Sequence, residues 1–272
     1  MLSVSDELRP HRIAPRYTTQ LQAGLGLVQE TKALLEIWEL GLSTTQLYQT
    51  ALGSGRFPHV AASRLRNVVV ECFAPRYLVA GGAPACALKC LVPALSNMEL
   101  NQLFLLHTCR ANPILRDFVR QVYWDRYVSG HSHVATEDAR RFVERSVDDQ
   151  RTSKRWAEST VRRVSAYLTG CCADYGLLES GTRTSRRILP FRIAPSVVAY
   201  LAHELHFAGL GDNAVIAHED WNLFGIDRAE VLEEFKRLSL KGIFIIQAAG
   251  DVVRVGWKFQ DMKALCDVIA QS

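Results

Sequence analysis

Apolar positions recur at three- and four-residue spacing along most of the chain. Ala33, Leu34, Ile37, Trp38 and Leu40 share one broad face between Glu30 and Leu40, the pattern of an amphipathic helix, and Gly41 stops it. Ser43 with Gln46, and Ser96 with Glu99, have capping-box spacing, so each predicts a helix start. Pro58 suits the first turn of a helix running towards Phe73. Asn112-Pro113 opens another, with Ile114, Phe118, Val122 and Tyr123 in register. A short helix follows from Thr136 to Val147. The next is long, from about Ser153 to Tyr175, with Ala157, Val161, Val164, Leu168, Cys171 and Tyr175 as its buried stripe and Gly176 as a left-handed cap.

Beyond it the pattern changes. Arg186 to Arg192 reads as a short strand between turn signals, bounded by Pro190 and Pro195. A helix is predicted over Ser196–Phe207, a short one over Glu219–Phe224, and a third over Asp227–Lys241 that buries Val231, Phe235 and Leu238. Strands Ile243–Ala248 and Val252–Trp257 follow, joined around Gly250-Asp251. Helix, short helix, helix, β-hairpin is the element order of a winged helix. The expected fold is therefore mainly α. An N-terminal extension covers residues 1–16 and a helical domain residues 17–150. A basic helix plus a winged-helix-like domain with a small β-hairpin covers residues 151–272. A length of 272 residues agrees with a soft prior of about 1.8 domains.

Composition narrows the class without naming a function. With 48% hydrophobic and 22% charged residues, the chain is neither disordered, nor collagen-like, nor a small disulfide scaffold. Its seven cysteines include no C-x-x-C pair. Cys86 with Cys90, and adjacent Cys171 and Cys172, suit helix interiors, so reduced thiols and a cytoplasmic location are expected. The first residues carry Asp6, Glu7, Arg9, Arg12 and Arg16 rather than an apolar core, so no secretory signal is expected. No apolar run is long enough to span a bilayer, and no membrane partner is expected.

Charge is informative only when resolved along the chain. The total is +4, but residues 151–192 hold nine basic and three acidic side chains, a net +6, against +2 before them and −4 after them. A basic segment of this density is the usual footprint of a polyanion partner. The candidate phosphate contacts are Arg151, Lys154, Arg155, Arg162 and Arg163 along the predicted helix, with Arg183, Arg186 and Arg187 on the following loop and strand. Neutralising about five phosphates would give a slope of about −4.5 in log affinity against log salt. The helix before the hairpin is a poorer candidate, because Asp227, Glu230, Glu233 and Glu234 would face phosphates. The competing expectation is a solvated basic face, or pairing of these arginines with that acidic segment.

Other motifs read more simply as structure. His203-Glu204-Leu205-His206 brings its second His one residue too early for a zinc-hydrolase helix. Gly24-Leu25-Gly26 lacks the third glycine and preceding strand of a dinucleotide loop. Glu234-Phe235-Lys236 matches the tail of a nuclease pattern but lies in an amphipathic helix. His131-Ser132-His133 falls in a loop. No catalytic constellation, metal, cofactor or small-molecule substrate is expected.

Three stretches together resemble a known family. They are Tyr17-Thr18-Thr19-Gln20-Leu21 with Gly24 and Glu30-Thr31; Lys154-Arg155-Trp156 through Ser159-Thr160 to Arg162-Arg163; and Asp220-Trp221-Asn222-Leu223-Phe224-Gly225, followed by Val231 to Leu240 and Gln247-Ala248-Ala249-Gly250 before Trp257. In this order they are similar to the BrxA family of BREX phage-defence systems, over the chain from Tyr17 onward. The resemblance implies a mostly helical, non-enzymatic protein that binds double-stranded DNA and acts with other BREX subunits. A protein–protein adaptor within the defence complex, with no direct DNA contact, is the alternative.

Overall fold

A computed structural model describes residues 17–20, 26–181, 184–249 and 252–271. Helices dominate them. The first half comprises α1 (Val28–Ile37), α2 (Thr44–Gly53), α3 (Ala62–Asn67), α4 (Ala74–Tyr77), α5 (Ala83–Leu91), α6 (Asn97–Ala111), α7 (Pro113–Phe118) and α8 (Trp124–Val128). Wide π turns at Val68–Phe73 and Val119–Tyr123 join α3 to α4 and α7 to α8. β1 (His133–Ala135), α9 (Thr136–Asp148), α10 (Glu158–Asp174) and β2 (Ser185–Arg187) follow. The chain then forms α11 (Pro195–Phe207), α12 (Asp212–Ile216), a 3-10 turn Glu219–Phe224, α13 (Arg228–Leu240), β3 (Phe244–Ala249), β4 (Val252–Trp257) and α14 (Met262–Ile269).

α6 lies at the centre. Both expected capping boxes form, Ser43 with Gln46 and Ser96 with Glu99, and the second starts α6. Every residue from Gln102 to Cys109 is buried, so α6 is enclosed on all sides rather than amphipathic. Three of its buried polar side chains find partners inside the core. His107 Nε2 lies 3.0 Å from Tyr200 Oη, Thr108 Oγ1 lies 2.6 Å from Tyr175 Oη, and Gln102 bonds the backbone at Arg192 and Ala194. α4, α7 and α11 pack around it. The buried apolar side chains form one continuous cluster from Tyr17 to Ile269.

Three features depart from the expectation. α10 starts at Glu158, not near Ser153, because residues before it are held extended by a distant part of the chain. Tyr17 N–H donates to Arg151 C=O at 3.0 Å, Tyr17 and Thr152 form a parallel bridge, and Trp156 is buried. The strand expected over Arg186–Arg192 is shorter, since only Ser185–Arg187 pairs with β1 and Ile188 adds a bridge to Leu178. The third is α14, which fills the groove between α5 and α11 and ties the C-terminus to the first half.

The expected order of helix, short helix, helix and hairpin changes in one place: the short helix at Glu219–Phe224 is a 3-10 turn, and α12 occupies part of the expected loop before it. β3 and β4 pair antiparallel from Phe244↔Trp257 to Ala249↔Val252. Among the described residues no third strand joins this sheet. The outer edge of β4 is instead covered by side chains of α12. Asp212 accepts from Val255 N–H at 2.9 Å and Trp257 Nε1–H at 3.0 Å, and Asn213 accepts from Val253 N–H at 3.3 Å.

Candidate nucleic-acid interface

The basic segment splits into an inward and an outward part. Arg151 is turned in. Its Nη2 donates to Asp117 Oδ2 at 2.7 Å and its guanidinium lies 4.5 Å from the Tyr17 ring centroid. Asp117 also accepts Tyr17 Oη–H at 2.8 Å and Arg116 Nε–H at 2.9 Å. Burial opposes this carboxylate, yet the Tyr17 hydroxyl and the Arg116 and Arg151 guanidiniums outweigh it, holding its pKa below the ordinary 3.8. The buried aspartate thus anchors the extended segment that precedes α10.

Lys154 and Arg155 on that segment, and Arg162 and Arg163 on α10, are all exposed. Only Arg162 and Arg163 lie on the helix, so the five residues expected from one helix come from a loop and a helix. Arg155 reaches Asp148 at 3.9 Å with its side chain 87% exposed, which is a loose surface pair. Lys154, Arg162 and Arg163 have no carboxylate partner among the described residues. Glu158, the acid in the first turn of α10, is taken by Arg140 of α9 at 2.9 Å. Asp174 accepts Gly26 N–H at 2.9 Å, and Gly26 is needed there because a Cβ would lie 2.6 Å from Asp174 Cβ.

β2 carries the remaining described arginines. Arg187 is exposed. Arg186 is half-buried and donates from Nη1 to Glu179 C=O at 3.0 Å. Arg183 lies outside the described residues. β2 sits beyond the C-terminal end of α10, whereas Arg162 lies twelve residues earlier on that helix, roughly 18 Å along its axis.

The acidic helix α13 does not consume the upstream arginines. Asp227 and Glu230 form a capping box, Glu233 pairs with Lys236 at 2.7 Å, and Glu234 pairs with Arg237. Phe235 between them is fully buried. The His-Glu-Leu-His stretch is likewise dispersed. His203 Nδ1–H donates to Ala199 C=O at 2.8 Å, and burial among aromatic rings lowers its pKa to about 4. Glu204 bonds Arg110 at 2.7 Å, and His206 stacks on Trp257 at 4.2 Å. His218 Nδ1 accepts Asp220 N–H at 3.2 Å. Among the described residues no group of three His, Cys, Asp or Glu is arranged to hold a metal ion. All seven cysteines are free. No described helix is long and apolar enough to cross a membrane.

The Asp117 anchor leaves no mark in the sequence, because Tyr17, Asp117 and Arg151 lie far apart along the chain. No local spacing marks such a contact.

Fold and surface together define a mainly helical protein, with two small antiparallel two-stranded sheets and several exposed basic side chains that lack a close carboxylate. Its backbone is similar to the crystal structure of an uncharacterized protein from Magnetospirillum magneticum, with a TM-score of 0.57 over 71% of this chain and 95% of that one. At 16% identity this is a likeness of fold alone. The BrxA family model matches residues 15–204, and the chain belongs to the BrxA family. Family membership associates the protein with BREX systems. No curated protein matches the chain.

Proposed function

We propose that this protein is a non-enzymatic, cytoplasmic accessory subunit of a BREX antiphage system that binds double-stranded DNA through phosphate contacts. The observation that carries the reading is the exposed set Lys154, Arg155, Arg162 and Arg163, of which three have no carboxylate partner among the described residues and the fourth has only a loose one. Exposed guanidinium and ammonium groups without close counter-charges favour a polyanion. Arg187 and Arg186 extend the contact at β2, Arg183 belongs to the same basic segment of the sequence, and Arg151 positions the loop through Asp117. The element order α11 to β4 supports a winged-helix-like unit in which the hairpin serves as wing.

Binding is largely independent of sequence, because phosphate contacts position a protein without specifying bases. Lys154, Arg155, Arg162 and Arg163 by themselves contribute about −3.6 to the slope of log affinity against log salt, at about −0.9 for each phosphate. A gel shift with duplex DNA across a salt series tests this, repeated on the double variant Arg155→Glu, Arg162→Glu. Reduced affinity and a shallower slope support the reading. An unchanged slope in the folded double variant removes these residues from the interface. Absence of wild-type DNA affinity, with nuclease-resistant co-purification of another subunit, replaces the reading by an adaptor.

A further inference from the structure

The two edges of the β3–β4 hairpin are finished differently. In an antiparallel pair, alternate residues direct their N–H and C=O groups at the partner strand and the others direct them away. Val253 N–H and Val255 N–H point away from β3, because Asn213 and Asp212 take them. The residues of β4 that bond β3 are therefore Val252, Arg254 and Gly256. The register then assigns the opposite set: Ile245, Gln247 and Ala249 face β4, and Phe244, Ile246 and Ala248 direct their backbone groups outward. No described residue takes up the outward groups of Ile246.

This open edge carries none of the usual blocks. β3 reads Phe-Ile-Ile-Gln-Ala-Ala, with no proline and no charge. Natural edge strands use such residues to prevent pairing. On the solvent face, Ile245 is 66% exposed and Val252 58% exposed, and the one charge on that face, Arg254, lies on β4, away from the open edge.

We infer that β3 pairs with β3 of a second copy of this chain, antiparallel about a two-fold axis at Ile246, to give a four-stranded sheet in the order β4-β3-β3-β4. Three features select a second copy as the occupant. The outward set overlaps itself most fully when Ile246 lies opposite Ile246 of the partner, and both backbone groups of that residue are then satisfied at once. The edge is uncharged, so pairing it with itself brings no like charges together. Asp212 and Asn213 close the other edge, so the assembly stops at two subunits instead of growing into a fibre, as a closed isologous contact requires. A six-residue strand is only about 20 Å long, so the association is weak and depends on concentration.

On the exposed face, this register sets Ile245 opposite Gln247 of the partner. Sedimentation velocity of the full chain, up to about 0.3 mM, reads the outcome. The mass is expected to rise with concentration from 30.5 kDa towards twice that value. Ile246→Pro deletes an outward N–H and is expected to hold the protein at 30.5 kDa. The double variant Ile245→Lys, Gln247→Lys changes only exposed positions and puts like charges opposite each other, so it too stays monomeric. Mixing it with Ile245→Glu, Gln247→Glu restores association. A wild-type protein that stays at 30.5 kDa at every concentration overturns the proposal. So does a lysine variant that associates like the wild type, or a charge-opposed mixture that stays monomeric.

Discussion

Arg151 Nη2 lies 2.7 Å from Asp117 Oδ2, joining the end of α9 to α7. The same carboxylate holds Tyr17 Oη and Arg116 Nε, so three donors converge on one buried anion. This cluster fixes the extended approach to α10 and thereby the places of Lys154 and Arg155.

Asp117→Asn is expected to lower stability at neutral pH by about 1–3 kcal/mol, because charged hydrogen bonds and a partly buried charge balance are lost together. A carboxylate with a depressed folded pKa contributes stability above the ordinary value of 3.8 and loses it as pH falls through the lower folded value. Urea unfolding at several pH values should therefore show a flatter acid limb in the variant. An acid limb identical to that of the wild type removes Asp117 as the anchor.

Arg151→Gln separates structure from binding. The urea midpoint should fall while the slope of DNA affinity against salt stays at its wild-type value. A normal midpoint with a shallower slope would return Arg151 to the phosphate contacts. Arg162→Gln and Arg163→Gln should do the reverse, each leaving the unfolding free energy within about 0.5 kcal/mol of wild type. Each should make the slope shallower by about 0.9.

His203 supplies a second pH signature. Burial lowers its folded pKa to about 4 from the ordinary 6.5, so between those values the unfolded chain binds more proton than the folded one. Stability must then fall as pH drops through that window. His203→Phe keeps a ring among Trp257, Phe244 and Phe259, and its stability should change less steeply there. Equal slopes for both proteins between pH 6.5 and pH 4 would show that His203 does not carry this term.

Gly225 ends the 3-10 turn with φ +66°, and a Cβ there would lie 2.5 Å from the Trp124 ring. Trp124 cannot give way easily, since its Nε1–H donates to Leu223 C=O at 3.0 Å. Gly225→Ala should cost about 2–4 kcal/mol, from the left-handed backbone and the overpacked ring together. Thermal unfolding reads the loss, and a melting temperature within error of wild type contradicts it.

Much of the local architecture was legible. The Ser43 and Ser96 capping boxes, the left-handed Gly176 at φ +78° and the β3–β4 hairpin all follow from signals a few residues long. The α10 stripe was legible for the same reason, but its start was not. Val161, Val164 and Leu168 repeat at helical spacing, whereas Arg151 to Ala157 are decided by a hydrogen bond from Tyr17. β1 has no signal in the sequence, because three residues carry no period and its partner lies about 50 residues further on.

For the basic patch, position along the chain and net charge were readable from the residues alone, because charge density is a local property. Which charges face water was not. Arg151 and Arg162 are the same residue type eleven positions apart, yet one is turned onto Asp117 and the other is exposed. Periodicity specifies which side of a helix is apolar, but it cannot say which distant carboxylate comes within 3 Å of a guanidinium. That depends on how α7, α9 and the strand at Tyr17 pack together, and only the folded chain brings them into contact.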